Sequence, residues 1–284
     1  MFTRNSHLIV SARDRCPKSF GLGAILTAVT WHFAAVTSHA APVTTWENAN
    51  NAGTNSGFNT ASPVVGDGTT ANSANDFAIR GIFGDVILAA VGDAVTLTGS
   101  ATFAGIQGGQ GDQFRIGLYD VNGSTSNAGW LGYYGSNFGS DGGITPRLRE
   151  RNGDTNGNFF NGAGSSNLTD PTGSGSFVDG TYDFVFKLTL QVDSVLNVSY
   201  SIIDSATGGM SFSTMGNHND DTASTLKFNR VGILAGGNLG AEQVSFSNMD
   251  VSFAAVPEPG AAVSLLGGFG MLLGCYRSRR LAVR

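Results

Sequence analysis

Acidic and histidine side chains are the residues from which this chain could build a hydrolytic site, and they are sparse. Between residues 41 and 256 the one histidine is His218, in a polar Asn-His-Asn-Asp-Asp run that is typical of a solvated loop. The glutamates of this region are Glu47, Glu150 and Glu242. A β-sandwich glycan hydrolase carries its carboxylates at alternate positions of one strand, as nucleophile and acid. No such cluster exists here, so we predict no catalytic residues and keep a polysaccharide-active enzyme as an alternative.

Short runs of oxygen-bearing side chains raise the question of calcium. Asp154, Asn156 and Asn158 alternate around a glycine, and Asp120 and Asn122 precede another. Hard cations prefer such oxygen ligands. Neither run has the closing glutamate of an EF-hand loop at the right distance, and short Asp/Asn/Gly runs also form plain turns. We therefore predict no cofactor and keep a structural calcium ion at Asp154, Asn156 and Asn158 as the one candidate.

An aromatic cluster and an arginine row point to carbohydrate. Trp130, Tyr133 and Tyr134 lie within five residues of one another, among glycines. Flat aromatic faces stack on sugars, although large aromatics are more often core residues. The next strand projects three arginines from one face, since alternate residues of a strand share a face: Arg147, Arg149 and Arg151. Arg147 and Arg149 join the three aromatics as the candidate glycan-binding set, which also suits an acidic polysaccharide.

Charge is distributed unevenly along the chain. Residues 41–256 carry 8 Lys+Arg against 19 Asp+Glu, whereas residues 1–40 and 257–284 are each net positive by three. An acidic body argues against nucleic acid as a partner, because phosphate binding needs a basic face. Both cysteines, Cys16 and Cys275, lie in the ends. Thiol catalysis and cysteine-ligated zinc are therefore excluded for residues 41–256.

The N-terminal 40 residues have the three parts of a secretory signal peptide. Residues 1–20 are polar and basic, residues 21–36 are mainly apolar, and Ser38 and Ala40 are small residues at the −3 and −1 positions of a cleavage after Ala40. An uncleaved anchor helix is the alternative, but the apolar run is short for a membrane span. We predict export by the secretion machinery and removal of an N-terminal signal helix.

The C-terminus has three parts in direct succession. Pro257, Glu258 and Pro259 are followed by an apolar run over residues 261–276, and then by the arginines Arg277, Arg279 and Arg280. The prolines hold the motif extended. The run makes a helix of about 24 Å, a little under a typical hydrocarbon core. The arginines stop transfer and mark the cytoplasmic side.

This tripartite end resembles the PEP-CTERM sorting signal of Gram-negative bacteria. The resemblance covers about a tenth of the chain. It implies an inner-membrane intermediate that is processed by an exosortase near residues 257–259, then release to the cell surface or an exopolysaccharide-containing extracellular matrix. A plain tail anchor that stays in the membrane is the alternative.

Strand patterns dominate residues 41–256, with no helical period of ten residues or more. Polar and apolar residues alternate, with Gly/Asn/Ser/Asp clusters between, over residues 77–88, 94–103, 114–119, 130–134, 144–151, 182–190, 196–202, 226–234 and 243–253. In the last stretch Val244 and Phe246 share one phase and Val251 and Phe253 another, so we predict a β-bulge near Asn248. Residues 152–180 read as a long loop.

Nine or ten such strands predict an all-β domain, a jelly-roll type β-sandwich of two packed antiparallel sheets. The strand pattern resembles concanavalin A-like and laminin-G-like domains, and a solenoid is the alternative. The predicted organisation is a signal peptide over 1–40, an irregular lead-in over 41–75 with one strand near 63–65, the sandwich over 76–255, and the sorting signal with its transmembrane helix over 256–284. The body is expected to be structural or glycan-binding.

Overall fold

The structure is a computed structural model, and the statements below concern the residues that it describes. The chain divides into two compact units, Met1–Ala35 and Val36–Arg284, and the described residues belong to the second. They are residues 37–40, 43–48, 63–71, 73–74, 77–107, 114–124, 129–137, 139–140, 143–144, 147–153, 165–169, 172–174, 176–192, 194–209, 213–236 and 239–256.

The described residues form strands and connecting turns, with no α-helix among them. The strands are β1 Thr37–Ala40, β2 Thr45–Asn48, β3 Val64–Gly66, β4 Phe77–Ile87, β5 Ala94–Ala104, β6 Phe114–Asp120, β7 Leu131–Asn137, β8 Gly139–Ser140, β9 Gly143–Ile144, β10 Arg147–Asn152, β11 Ser165–Thr169, β12 Thr172–Ser174, β13 Gly180–Leu190, β14 Leu196–Asp204, β15 Ser213–Asp220, β16 Lys227–Ala235 and β17 Gln243–Ala255.

Two antiparallel sheets contain all of these strands except the β8–β9 pair. The eight-stranded sheet has the order β1-β17-β5-β13-β14-β15-β12, with β3 also paired to β17. The seven-stranded sheet has the order β11-β10-β7-β6-β16-β4-β2. Many strands that are neighbours in one sheet are not consecutive in the chain, so the chain crosses repeatedly from one sheet to the other. The predicted jelly-roll type β-sandwich is confirmed.

The main core lies between the two sheets and follows from the alternation of the sequence. In β13 the residues Tyr182, Phe184, Phe186, Leu188 and Leu190 are buried while their neighbours face outwards. The same period in the other long strands fills the layer with branched and aromatic side chains. At one end of this layer the rings of four aromatic residues pack together, with centroids 4.6–6.0 Å apart: Phe103, Phe114, Phe177 and Tyr182.

The change of phase in β17 is a bulge, as predicted. Ser247 pairs with Ser100 and Asp250 with Thr98, so two residues of β17 lie opposite one residue of β5. Asn248 has a φ of 54°, a left-handed conformation that asparagine tolerates better than most residues. The one extra residue allows Phe246 and Val251 to face the same core.

All nine predicted strands are present, and others are added to them. The stretch 152–180, expected to be a loop, contains β11 and β12, and the lead-in contributes β2 and β3. The strand expected near residues 63–65 is β3. His218 lies within strand β15, so the prediction of a loop there is wrong. The predicted signal helix and C-terminal transmembrane helix lie outside the described residues.

Candidate functional site

The outer face of the seven-stranded sheet gathers most of the positive charge of the body. Residues 41–256 contain eight lysines and arginines. Six of them occupy strand positions whose neighbours point into the main core, so their own side chains point away from it. We call this surface the arginine face; its cations are Arg80, Arg115, Arg147, Arg149, Arg151 and Arg230.

Strand register arranges the arginine face in three rows that run across the sheet. The rows are Arg151-Gly132-Tyr119-Arg230, Arg149-Tyr134-Gly117-Gly232-Arg80, and Arg147-Ser136-Arg115-Leu234-Ala78. Neighbouring strands lie about 4.8 Å apart, so the backbones of Arg147 and Arg115 are about 10 Å apart. Along β10 successive arginines are about 7 Å apart. The face is therefore a set of regularly spaced cations with glycine, serine, alanine, tyrosine and leucine residues between them.

These cations act on one another. Burial lowers the pKa of Arg115, and repulsion from Arg149 and Arg147 lowers it further. Burial and repulsion from Arg80 likewise lower the pKa of Arg230. Like charges on one sheet face are unfavourable unless something offsets them. An anion lying among these side chains would lower the repulsion.

At one side of the arginine face, Arg80 forms an ion pair with a glutamate. Arg80 Nε donates to Glu47 Oε2 at 2.7 Å, and both side chains are partly exposed. Arg80 also lies over the ring of Trp130, with its guanidinium carbon 5.9 Å from the ring centroid. The charge of the face near β2 is thus partly neutralised by Glu47. Toward the other side of the sheet, Arg147 and Arg149 of β10 are partly exposed.

The three aromatic residues predicted to stack on sugars are buried, and that prediction is corrected. Trp130, Tyr133 and Tyr134 expose 2%, 0% and 1% of their surface, so no ring face is open to a ligand. Tyr133 points into the main core. Trp130 and Tyr134 lie on the opposite side of the sheet, in a second apolar cluster that also contains Ala78, Tyr119 and Leu234. The core alternative for these rings is the correct one.

The second cluster forms the floor of the arginine face. Arg151 is fully buried and its Nε donates to the backbone oxygen of Trp130 at 2.9 Å. Glycine at position 132 is required there, because a Cβ would lie 2.3 Å from the Leu118 oxygen and 2.8 Å from Tyr119 Cα. The prediction that β10 projects its arginines from one face agrees with the register, but Arg151 is buried, whereas Arg147 and Arg149 are partly exposed.

Two carboxylates that sequence reasoning kept apart meet inside the sandwich. Tyr133 Oη donates to Asp220 Oδ2 at 2.7 Å and lies 3.3 Å from Glu150 Oε1. Glu150 Oε1 also accepts the Ser224 backbone N–H at 2.7 Å. Burial raises the pKa of Tyr133, and its contacts with Asp220 and Glu150 raise it further, so the phenol stays protonated. The group joins the two sheets near the ends of β10 and β15.

One signal in the sequence pointed to this carboxylate group. Glu150 is in phase with Leu148, which faces the core, so an acidic residue occupies an inward position of β10. Asp220 likewise shares the phase of its strand partner Leu196. Their meeting depends on the packing of one sheet on the other, which the pattern of a single strand does not contain. Glu150 and Asp220 expose 4% and 3% of their surface.

Of the two calcium candidates, the structure describes one and not the other. Asp154, Asn156 and Asn158 lie outside the described residues. Asp120 Oδ1 accepts the backbone N–H of Asn122 at 3.1 Å, which makes this run a turn closed by its own side chain. No group of three His, Cys, Asp or Glu residues within the described ranges is placed to hold a metal ion.

The predicted processing residues lie at or beyond the edges of the described part. Ser38 and Ala40 belong to β1, whose residues Thr37–Ala40 pair with Ala255–Ser252 of β17. The sorting motif Pro257, Glu258 and Pro259 and the arginines Arg277, Arg279 and Arg280 lie outside the described residues. Within the described part, no helix has the length and apolar character needed to cross a membrane.

Comparisons with known proteins give no family. No protein-family model matches the chain. No curated protein matches it either. Among solved structures, basic winged bean lectin with Tn-antigen has a TM-score of 0.47 at 8% identity, over 78% of this chain and 100% of that one.

Two further solved structures are similar to the same degree. The CBM2 module of Lactobacillus casei BL23 phage J-1 evolved Dit has a TM-score of 0.46 at 12% identity, over 78% of this chain and 99% of that one. Arcelin-5, a lectin-like defense protein from Phaseolus vulgaris, has a TM-score of 0.43 at 7% identity, over 79% and 100%. Likenesses at this level assign no function, and the fold assignment rests on the strand order and register.

Proposed function

We propose that this chain is an exported bacterial surface or matrix protein whose sandwich binds an acidic polysaccharide through the arginine face. The observation that carries the proposal is the segregation of charge. Six of the eight cations of residues 41–256 lie on one face of one sheet, in a region that holds 19 acidic residues. A cationic surface on an acidic body attracts anions locally while the body resists non-specific association.

The spacing of the arginines favours a repeating anion. A polyuronate carries one carboxylate on every sugar ring, so a row of charges on the ligand meets a row on the protein. Arginine donates two parallel hydrogen bonds to a carboxylate, which lysine cannot do. The partly exposed Arg147 and Arg149 are the residues expected to make these contacts. Arg115, which lies in the same row as Arg147, adds positive charge nearby.

Binding to soluble polygalacturonate tests the proposal. The double variant Arg147→Gln/Arg149→Gln should bind about tenfold more weakly than the parent chain, since a hydrogen bond to a charged group contributes about 1.5–3 kcal/mol and exposure reduces this. Binding should weaken with added salt because the contacts are ionic. The matched control is Lys187→Gln, which removes an exposed cation from the eight-stranded sheet.

Neutral dextran separates charge recognition from general stickiness. The parent chain should bind polygalacturonate and not dextran. Equal binding of the two glycans, or equal losses in the Arg147→Gln/Arg149→Gln and Lys187→Gln variants, would remove the arginine face from the account.

Export and sorting form the second part of the proposal and rest on the two ends of the sequence. The N-terminal tripartite pattern and the Pro-Glu-Pro, apolar and arginine segments support secretion, exosortase processing and release. Intact mass of the protein from its native host should show loss of residues 1–40 and of the segment after the Pro257–Pro259 region. A protein that retains residues 261–284 in the inner membrane would instead be a permanently anchored surface protein.

A non-enzymatic role fits the burial of the carboxylates better than the alternative of a polysaccharide-active enzyme. Glu150 and Asp220 share the hydroxyl of Tyr133, and two close carboxylates are what a glycosidase uses. Both are buried, however, and Glu150 and Asp220 are bonded to Ser224 and Thr222 of the following turn. We expect no reducing ends to be released from polygalacturonate by the parent chain or by Glu150→Gln.

A further inference from the structure

The chain enters and leaves the sandwich at the same end. Thr37, the first residue of β1, pairs with Ala255, at the C-terminal end of β17. Residue Val256 follows directly and is the last described residue. The two apolar segments of the sequence flank these points, since residues 21–36 precede Thr37 and residues 261–276 follow Val256 after a short link. We call this end of the sandwich the tail end.

A buried aspartate fixes the exit of the chain at the tail end. Asp93 Oδ1 accepts the backbone N–H of Val256 at 2.9 Å, and its Oδ2 accepts the N–H groups of Ala89 and Ala90 at 2.9 and 2.8 Å. The Asp93 side chain therefore ties the last residue of the sandwich to the β4–β5 turn. A Cβ on Gly92 would lie 2.7 Å from Val256 Cγ2, which shows how closely this turn approaches the exit.

Two exposed valines occupy the turns around this exit. Val91 lies in the β4–β5 turn and exposes 57% of its surface, and Val192 lies in the β13–β14 turn and also exposes 57%. The turns are joined, because Gly92 N donates to the Leu190 oxygen at 2.7 Å and Leu190 N to the Asp93 oxygen at 2.9 Å. Ile87, at the end of β4, exposes 58%. Contiguous exposed apolar patches are typical of surfaces that meet a protein or membrane partner, which makes this group a candidate for such a contact.

The short length of chain between Val256 and the second apolar segment indicates which partner this surface meets. Residue 261 is five residues after Val256, so the start of the second apolar segment lies at most about 17 Å from the sandwich. If this segment enters a bilayer, the tail end is held at the lipid headgroups.

We infer that the tail end is a membrane-docking surface, on which Val91 and Val192 enter the headgroup region of the bilayer while the protein is held by its terminal segment. The inference rests on the membrane intermediate of the proposed function and goes beyond it, because it assigns a contact to the folded body. The valines supply the apolar part of this contact. Asp93 and Asp220, which lie at this end, are buried and hydrogen-bonded, and Lys227 is paired with Asp85 at 2.8 Å. Asp221, which follows Asp220, is exposed, so a zwitterionic lipid surface suits this end better than an anionic one.

Single fluorescent labels test this contact. Residues 41–256 contain no cysteine, so Cys16→Ser and Cys275→Ser give a full chain into which one labelled cysteine is placed. Val91→Cys and Val192→Cys are compared with Val178→Cys. Val178 is a matched control because it exposes 60% of its surface and precedes β13, whereas Val192 follows that strand at the opposite end.

The probe is a phosphatidylcholine vesicle containing spin-labelled phosphatidylcholine. When the full chain co-floats with vesicles, labels at positions 91 and 192 should shift their emission to shorter wavelength and be quenched, while the label at position 178 should do neither. If the full chain co-floats with vesicles but all three labels remain unquenched, the inference is overturned, although the membrane intermediate is still supported. A full chain that does not co-float overturns the intermediate, and with it the inference, while binding to polygalacturonate remains a separate result.

Discussion

The replacement Tyr133→Phe tests the polar group that joins the two sheets. The ring of Tyr133 is fully buried in the main core, and its hydroxyl donates to Asp220 Oδ2 at 2.7 Å with Glu150 Oε1 3.3 Å away. Phenylalanine keeps the ring and removes only the donor. Asp220 then retains the Thr222 N–H at 3.0 Å, and Glu150 retains the Ser224 N–H at 2.7 Å.

The expected cost follows from the charge of the acceptor. A hydrogen bond to a charged group contributes about 1.5–3 kcal/mol net, and losing it leaves two buried carboxylates facing each other without the shared donor. We expect Tyr133→Phe to lower the free energy of unfolding by about 2–3 kcal/mol. For a domain of this size each kcal/mol lowers Tm by about 2–4 °C, so the melting point should fall by about 5–10 °C.

Tyr200→Phe supplies the matched control. Tyr200 is also buried in the main core, but its hydroxyl donates to the neutral oxygen Asn137 Oδ1 at 3.3 Å. Its loss should cost about 0.5–1.5 kcal/mol. Urea denaturation of both variants at pH 7, followed by circular dichroism, gives the two values. If Tyr133→Phe is no more destabilising than Tyr200→Phe, the Tyr133 group does not join the sheets in the way described.

Three further changes probe the same fold. Burial and the hydrogen bond to Asp220 raise the pKa of Tyr133, so above pH 10 the folded chain keeps a proton that the unfolded chain loses. The contribution of Tyr133 to the free energy of unfolding should therefore be unchanged below pH 10 and fall by about 1.4 kcal/mol for each pH unit above it. Urea titrations between pH 9.5 and 11.5 should show a shallower fall in Tyr133→Phe, and an unchanged slope would contradict the shift. Asn248→Val should lower the free energy of unfolding by about 1–2 kcal/mol, because Asn248 has a φ of 54° that valine adopts poorly, whereas Asn248→Gly should not lower it. Equal stabilities of the two variants in urea would argue against the bulge. Gly135→Ala should lower the free energy of unfolding by about 1–3 kcal/mol, because a Cβ at this position would lie 2.5 Å from the Tyr200 ring. Gly84→Ala should be nearly neutral, because no atom lies within 4 Å of a Cβ there. Thermal melts that reverse this order would refute the packing.

The strands that sequence reasoning found are those with one apolar face. In β13 and β14 every second residue enters the core, so a period of two is visible in the sequence. The strands β11, β12 and β15 are rich in Ser, Thr, Asn and Asp, and residues 217–219 of β15 include no large apolar side chain. Their positions are set by backbone hydrogen bonds to a neighbouring strand, and such bonds leave no trace in hydropathy.

The candidate site was predictable only along single strands. Alternation alone places Arg147, Arg149 and Arg151 on one side of β10. Adding Arg80, Arg115 and Arg230 to the same face requires the strand order β10-β7-β6-β16-β4, which is a long-range property. The aromatic prediction failed for a different reason, because both sides of the seven-stranded sheet are covered by apolar side chains at this point. Tyr133 and Tyr134 are adjacent in sequence and therefore lie on opposite sides of the sheet, one in each apolar cluster.

Arginine-specific modification with phenylglyoxal, read by peptide mass spectrometry, tests the central claim most directly. Saturating polygalacturonate should slow the modification of Arg147 and Arg149 on the arginine face, while dextran should leave both rates unchanged. The account predicts this protection together with binding that weakens as salt is added. Modification of Arg147 and Arg149 at the same rate with and without polygalacturonate would contradict it.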